Sequence, residues 1–195
     1  MADSDPVDQL SRAVDQTGAI ISRIRTDQAT LPTPCGSWDV RALVDHVVQD
    51  VRQFTDRASR SDSEQREANA IGDDWTGAYR EAADSLLKAW RRDGALEGTV
   101  ELPFGKLPVT WFVDLQTADL LVHGWDLAKA TGQSIELDPE LGQSALEWGR
   151  ENLRPELRGD RFGPEVPVPE EAPLHDRLAG LFGRDPGWTP DGDGG

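Results

Sequence analysis

Apolar residues recur along this chain mostly at helical spacing. Val7, Leu10, Val14, Ile20, Ile21 and Ile24 approximate one 3.6-residue stripe. Asp5 and Pro6 before it supply an N-cap and a proline at the first helical position. Residues 31–36 (LPTPCG) break the pattern. Ser37 then reads as the N-cap of a second helix, with Asp39 in its first turn, where the helix dipole favours negative charge. Val40, Leu43, Val44, Val47, Val51 and Phe54 give that helix its apolar face. Residues 59–70 (SRSDSEQREANA) are polar and read as a mobile connection. A third helix is expected from about Asp74 to Arg92, with Trp75, Ala78, Tyr79, Ala82, Leu86 and Trp90 facing inward and Gly94 closing it.

Residues 98–108 (GTVELPFGKLP) read as extended chain around a Phe-Gly turn, and two prolines forbid a central strand. A fourth helix is predicted from about Val109 to Thr131, ending at Gly132. A fifth starts at Asp138-Pro139 and fades near Arg154. Arg158 to Pro173 holds four prolines and two glycines and reads as ordered loop at best. A short helix from Leu174 to Phe182 stops at Gly183. Five or six helices with almost no alternating strands predict an all-α bundle. Residues 1–184 are expected to form a single domain, and the Asp/Gly/Pro-rich stretch 185–195 a disordered tail.

Charge and cysteine content narrow the function. Acidic residues outnumber basic ones 36 to 20, a net charge of −16. Such a surface repels phosphate backbones and anionic membranes, so nucleic-acid and membrane partners are not expected. No apolar run approaches the roughly 18 residues of a membrane span, and no secretory leader is legible at the start. Cys35 is the only cysteine, which excludes an intrachain disulfide and fits a reducing cytoplasm.

Two of the three histidines fall inside helical stripes. Asp119 and His123 are an i, i+4 pair on the fourth helix, so their side chains emerge from one face on successive turns. Phe112, Leu115 and Val122 turn that face towards the core. An unpaired carboxylate there would cost several kcal/mol, so Asp119 needs a compensating charge or a strong donor. His46 lies midway along the second helix. If the two helices are neighbours, His46, Asp119 and His123 can converge on a divalent metal, as two imidazoles and a carboxylate do at catalytic zinc or non-haem iron. A hydrogen-bonded Asp–His pair inside the bundle is the plain alternative. His175 heads a surface-like helix and is a weaker ligand candidate. Asp50 and Asp126 stand at i+4 from His46 and i+3 from His123, where either could receive an imidazole N–H. Trp38 and Trp125 each open a Trp-Asp-aliphatic triplet and read as pocket wall or as core. Cys35 reads as a small apolar plug near Trp38. No glycine-rich phosphate loop, GxSxG elbow or HExxH motif is present.

Residues 31–48 (LPTPCGSWDVRALVDHVV) and 118–132 (ADLLVHGWDLAKATG) resemble the two signature segments of the mycothiol-dependent maleylpyruvate isomerase-like, metal-binding branch of the DinB-like superfamily. The likeness extends to the late segment DRLAGLFGRDP and, for the isomerase itself, concerns its N-terminal domain. It implies a DinB-like four-helix bundle with additional short C-terminal helices. It also implies a divalent metal, zinc before others, held by His46, Asp119 and His123. The isomerase has a glutamate where this chain has Asp119, one methylene shorter. The implied cosubstrate is a small thiol, mycothiol, and the implied activity is metal-assisted thiol transfer or isomerisation on a small electrophile, as an S-transferase or isomerase. The other expectation is a non-catalytic metal- or ligand-binding bundle. A monomer or homodimer is expected.

Overall fold

The computed structural model describes residues 5–36, 38–59, 71–102, 105–154, 158 and 162–190. At its centre is α4 (Thr110–Thr131), the longest described helix, buried nearly all the way round. A helix with apolar side chains on every face must be enclosed. Here α1 (Pro6–Ile21), α2 (Val40–Ser59), α5 (Pro139–Asn152) and α6 (Leu174–Leu181) all pack on it, while α3 (Trp75–Trp90) packs on α1 and α2. The chain is therefore all-α: a DinB-like bundle of α1 to α4, flanked by the shorter α5 and α6.

The predicted start and stop signals work locally. The carboxylates of Asp5, Asp74 and Asp138 each accept backbone N–H bonds from the first turn of α1, α3 and α5. Gly132 ends α4 with φ +70°, where a side chain would be strained. Gly124 lets α1 approach α4, because a Cβ there would stand only 3.3 Å from the Thr17 hydroxyl. That hydroxyl donates to the Leu120 carbonyl, and the Tyr79 hydroxyl donates to the carbonyl of Val14, which ties α3 to α1.

Three local differences from the sequence reading have clear causes. α2 begins at Val40, and Asp39 rather than an earlier residue caps it: its carboxylate accepts from Ala42 N–H and its carbonyl from Leu43 N–H. The start is delayed because Val40 and Arg41 donate their N–H groups backwards to Leu31 and Ala29, closing residues 31–39 into a loop. Ser37, the expected cap, lies outside the described residues. α1 stops at Ile21, so Ile24 packs on the core from a turn. The extended stretch 98–108 forms a small antiparallel hairpin, β1 (Thr99–Leu102) with β2 (Gly105–Pro108), which pairs Thr99 with Pro108 and leads into α4. Phe104 of the expected turn, and residues 60–70 of the expected mobile connection, lie outside the described residues. So do residues 191–195 of the expected tail; Trp188, at its described start, packs against the core.

Among the described residues, no helix is long and apolar enough to cross a membrane.

Candidate metal centre

Packing α2 beside α4 brings His46 opposite Asp119 and His123. One nitrogen of each ring and one Asp119 oxygen lie within 4.8 Å of one another. His123 Nε2 is 3.6 Å from Asp119 Oδ2, and the two imidazole rings meet edge to face at 5.1 Å. Ligands about 2.0–2.1 Å from a tetrahedral ion stand about 3.3 Å apart, so this donor set suits a divalent metal after a small inward adjustment. The Asp119 side chain keeps 19% of its surface exposed, and His46 is half-buried, so the three open on one side.

They open into a cavity of about 700 Å³ between α2, α4, the 31–39 loop and the segment around residues 162–184. Trp38 forms a wall, its ring tilted 40° against that of His46 with centroids 4.2 Å apart, and 6.4 Å from His123. Trp125, its sequence counterpart, is a core residue: it is buried, and its indole N–H donates to Asp176. The two like triplets thus have different roles, because α4 is enclosed where the 31–39 loop is not. Asp50, Gln53, Phe54 and Leu115 also line the cavity.

Behind His123 lies a second polar layer. Asp126, 0% exposed, is 3.1 Å from His123 Nδ1 and so receives the imidazole N–H, as its i+3 spacing suggested. The same carboxylate accepts from Arg184 Nε at 3.3 Å and Nη2 at 3.1 Å. Arg184 Nη2 also donates to Cys35 Sγ at 3.1 Å. Cys35 packs against the core, as the plug reading expected, and its sulfur also accepts this charged donor. Its sulfur is half-buried at the cavity edge in contact with a guanidinium. Burial of the His123 ring opposes its charge, but Asp119, Asp126 and Cys35 together outweigh this and hold its pKa well above 6.5.

Arg184 is the residue that reading the sequence did not single out. Its only signal is its place in the FGRDP end of the late segment; nothing in spacing says that this end folds back under α4. His175 lies apart from the centre, next to Asp176 at 3.5 Å, and Asp50 lines the cavity without being one of the three converging side chains.

With fold and site in view, the chain belongs to the mycothiol maleylpyruvate isomerase N-terminal domain family, whose profile matches residues 10–128. His46, Asp119 and His123 all fall inside that span and Arg184 falls outside it. The chain is 37% identical over 182 residues to the uncharacterized proteins Rv0738 (strain ATCC 25618 / H37Rv) and MT0763 (strain CDC 1551 / Oshkosh) of Mycobacterium tuberculosis, covering 92% of this chain and 98% of each of those. Its fold is similar to a crystal structure of a mutant mycothiol-dependent maleylpyruvate isomerase, with a TM-score of 0.59 at 13% identity over 74% of this chain. The match spans 66% of that isomerase chain, and at this identity the likeness is one of fold.

Proposed function

We propose that this protein binds a divalent metal, zinc first among the candidates, through His46, Asp119 and His123. We further propose that it uses a small thiol, mycothiol in the organisms that make it, in transfer to or isomerisation of a small electrophile in the cytoplasm. The observation that carries the reading is the convergence of two imidazoles and one carboxylate at the floor of an open cavity. A bound divalent ion with a free position supplies one thing there: it lowers the pKa of an entering thiol, so that the sulfur is a thiolate nucleophile at neutral pH.

The chain's own residues do the rest. His46 and His123 offer neutral nitrogens and Asp119 one negative charge, which leaves a divalent ion a net charge of about +1 and keeps it attractive to a thiolate. Trp38 covers His46 and keeps water from that side. Asp126 holds the Nδ1 proton of His123, so that Nε2 is the atom presented to the centre. Leu115 and Phe54 give the cavity apolar lining against which an electrophile can lie, and Asp50 and Gln53 give it polar lining.

The test is a thiol-conjugation assay on zinc-loaded full-length protein, with mycothiol and a panel of small electrophiles, including maleylpyruvate. Metal-dependent turnover that disappears in His46→Ala supports the reading. A protein that retains stoichiometric zinc and accelerates no thiol reaction is a binding bundle, and the enzymatic part is then wrong.

A further inference from the structure

A carboxylate buried as completely as Asp126 persists only when its charge is matched and its oxygens are occupied. Arg184, itself 5% exposed, does both: Nε and Nη2 reach the Asp126 oxygens in a fork, and Nη1 is fixed by the Phe182 carbonyl at 3.0 Å. The second Nη2 bond, to Cys35, ties the same guanidinium to the loop that carries Trp38.

The backbone makes room for this arrangement. Gly183 has φ +83°, and a Cβ there would lie 2.7 Å from the backbone of Gly163, so two glycines in contact turn the chain and aim Arg184 inward. Arg158 fastens the same corner by donating to the carbonyls of Gly163 and Leu181.

One further observation gives the guanidinium a role in selection. Cys35, His123 and Asp126 form a second cluster of possible ligands, each within 4.8 Å of the others. Arg184 sits on two of its three members. A fixed positive charge there opposes a second cation and leaves the His123 ring only one direction in which to coordinate.

We propose that Arg184 is a positioning residue for the metal centre: its guanidinium occupies the Cys35–His123–Asp126 cluster and, through Asp126, locks His123 with Nε2 towards His46 and Asp119. The proposal rests on the metal reading given above. It means that a residue outside the family-matched span 10–128 completes a site whose ligands all lie inside it.

The experiment is zinc affinity by chelator competition for full-length parent, Arg184→Met, Asp126→Asn and the double variant, with thermal melting of each apo protein alongside. Loss of a group that orients a ligand typically lowers metal affinity about 10–100-fold, and a loss of that size is expected for each single variant. Because Arg184 acts through Asp126, the double variant should lose little more than either single one. Arg184→Lys is the second probe should Arg184→Met not fold. A single ammonium cannot hold both Asp126 oxygens and Cys35, so a several-fold loss is expected there as well. A foldable Arg184 variant that binds zinc as tightly as the parent, however much its melting point falls, overturns the proposal and leaves the metal reading standing. Single losses that simply multiply in the double variant also overturn it. A parent that binds no divalent ion overturns both readings.

Discussion

At the level of single residues, two titrating groups give the clearest expectations. His123 carries a proton that a metal must displace, and Asp119, Asp126 and Cys35 hold that proton to a higher pH than in a free imidazole. Apparent zinc affinity should therefore climb with pH past 6.5 and level off only above the raised pKa, with proton release measurable by calorimetry in buffers of different ionisation enthalpy. A plateau reached below pH 6 would contradict this. The same shift has a sign for stability. A histidine whose folded pKa is raised contributes stability that is complete below about 6.5 and is lost as pH rises through the folded value, so the metal-free protein should melt lower as the solution is made alkaline. Asp114, on α4 away from the centre, is the converse of a stabilising carboxylate. Burial pushes its pKa up to about 6. Its charged form is thus a liability above that pH, and Asp114→Asn should raise the melting point at pH 7 while changing little below pH 4. Equal melting of parent and variant at both pH values would count against the burial.

Among elements, the contrast between α4 and the corner after α6 is instructive. The centre of α4 was legible in the sequence, since the i, i+4 spacing of Asp119 and His123 fixes them on one face whatever surrounds the helix. The i+3 spacing of Asp126 likewise placed it within reach of the His123 ring. The start of α2 was less legible, because the backward bonds from Val40 and Arg41 belong to a closed loop and not to the helix's own signals. The corner formed by Gly163 and Gly183 could not be read at all: its meaning is a close contact between backbones twenty residues apart. Gly183→Ala tests it. A β-carbon must be forced into a left-handed backbone and against Gly163 at once, at a cost of about 1–3 kcal/mol for the backbone strain alone. Thermal or urea unfolding should show the loss, whereas an alanine at the exposed Gly72, which has a similar positive φ but open space around it, should cost less.

For the whole molecule, the three proposed ligands come from two helices brought together only in the folded bundle, so metal binding through them would be linked to folding. Zinc at a hundredfold excess over its dissociation constant should stabilise the parent by about 2.7 kcal/mol. For a chain of this length that corresponds to a melting-point rise of about 5–10 °C. Asp119→Asn and His46→Ala should melt at the same temperature with and without zinc. A parent equally indifferent to zinc would mean that the Asp119–His123 pair is no more than packed polar structure.

The sequence by itself determined the helical class, most helix boundaries, and which carboxylate and histidine share a face of α4, because periodicity and capping act over a few residues. His46 joined that pair on the condition that α2 lies beside α4, and the family likeness carried by residues 31–48 and 118–132 implied the same three residues. Only the tertiary structure decided that Trp38 lines the cavity while Trp125 is core, that Cys35 meets a guanidinium, and that Arg184 stands behind the site. The physical reason is range. A buried charge is satisfied by whatever partner the fold delivers, and Arg184 reaches Asp126 across 58 residues of sequence that carry no trace of the contact.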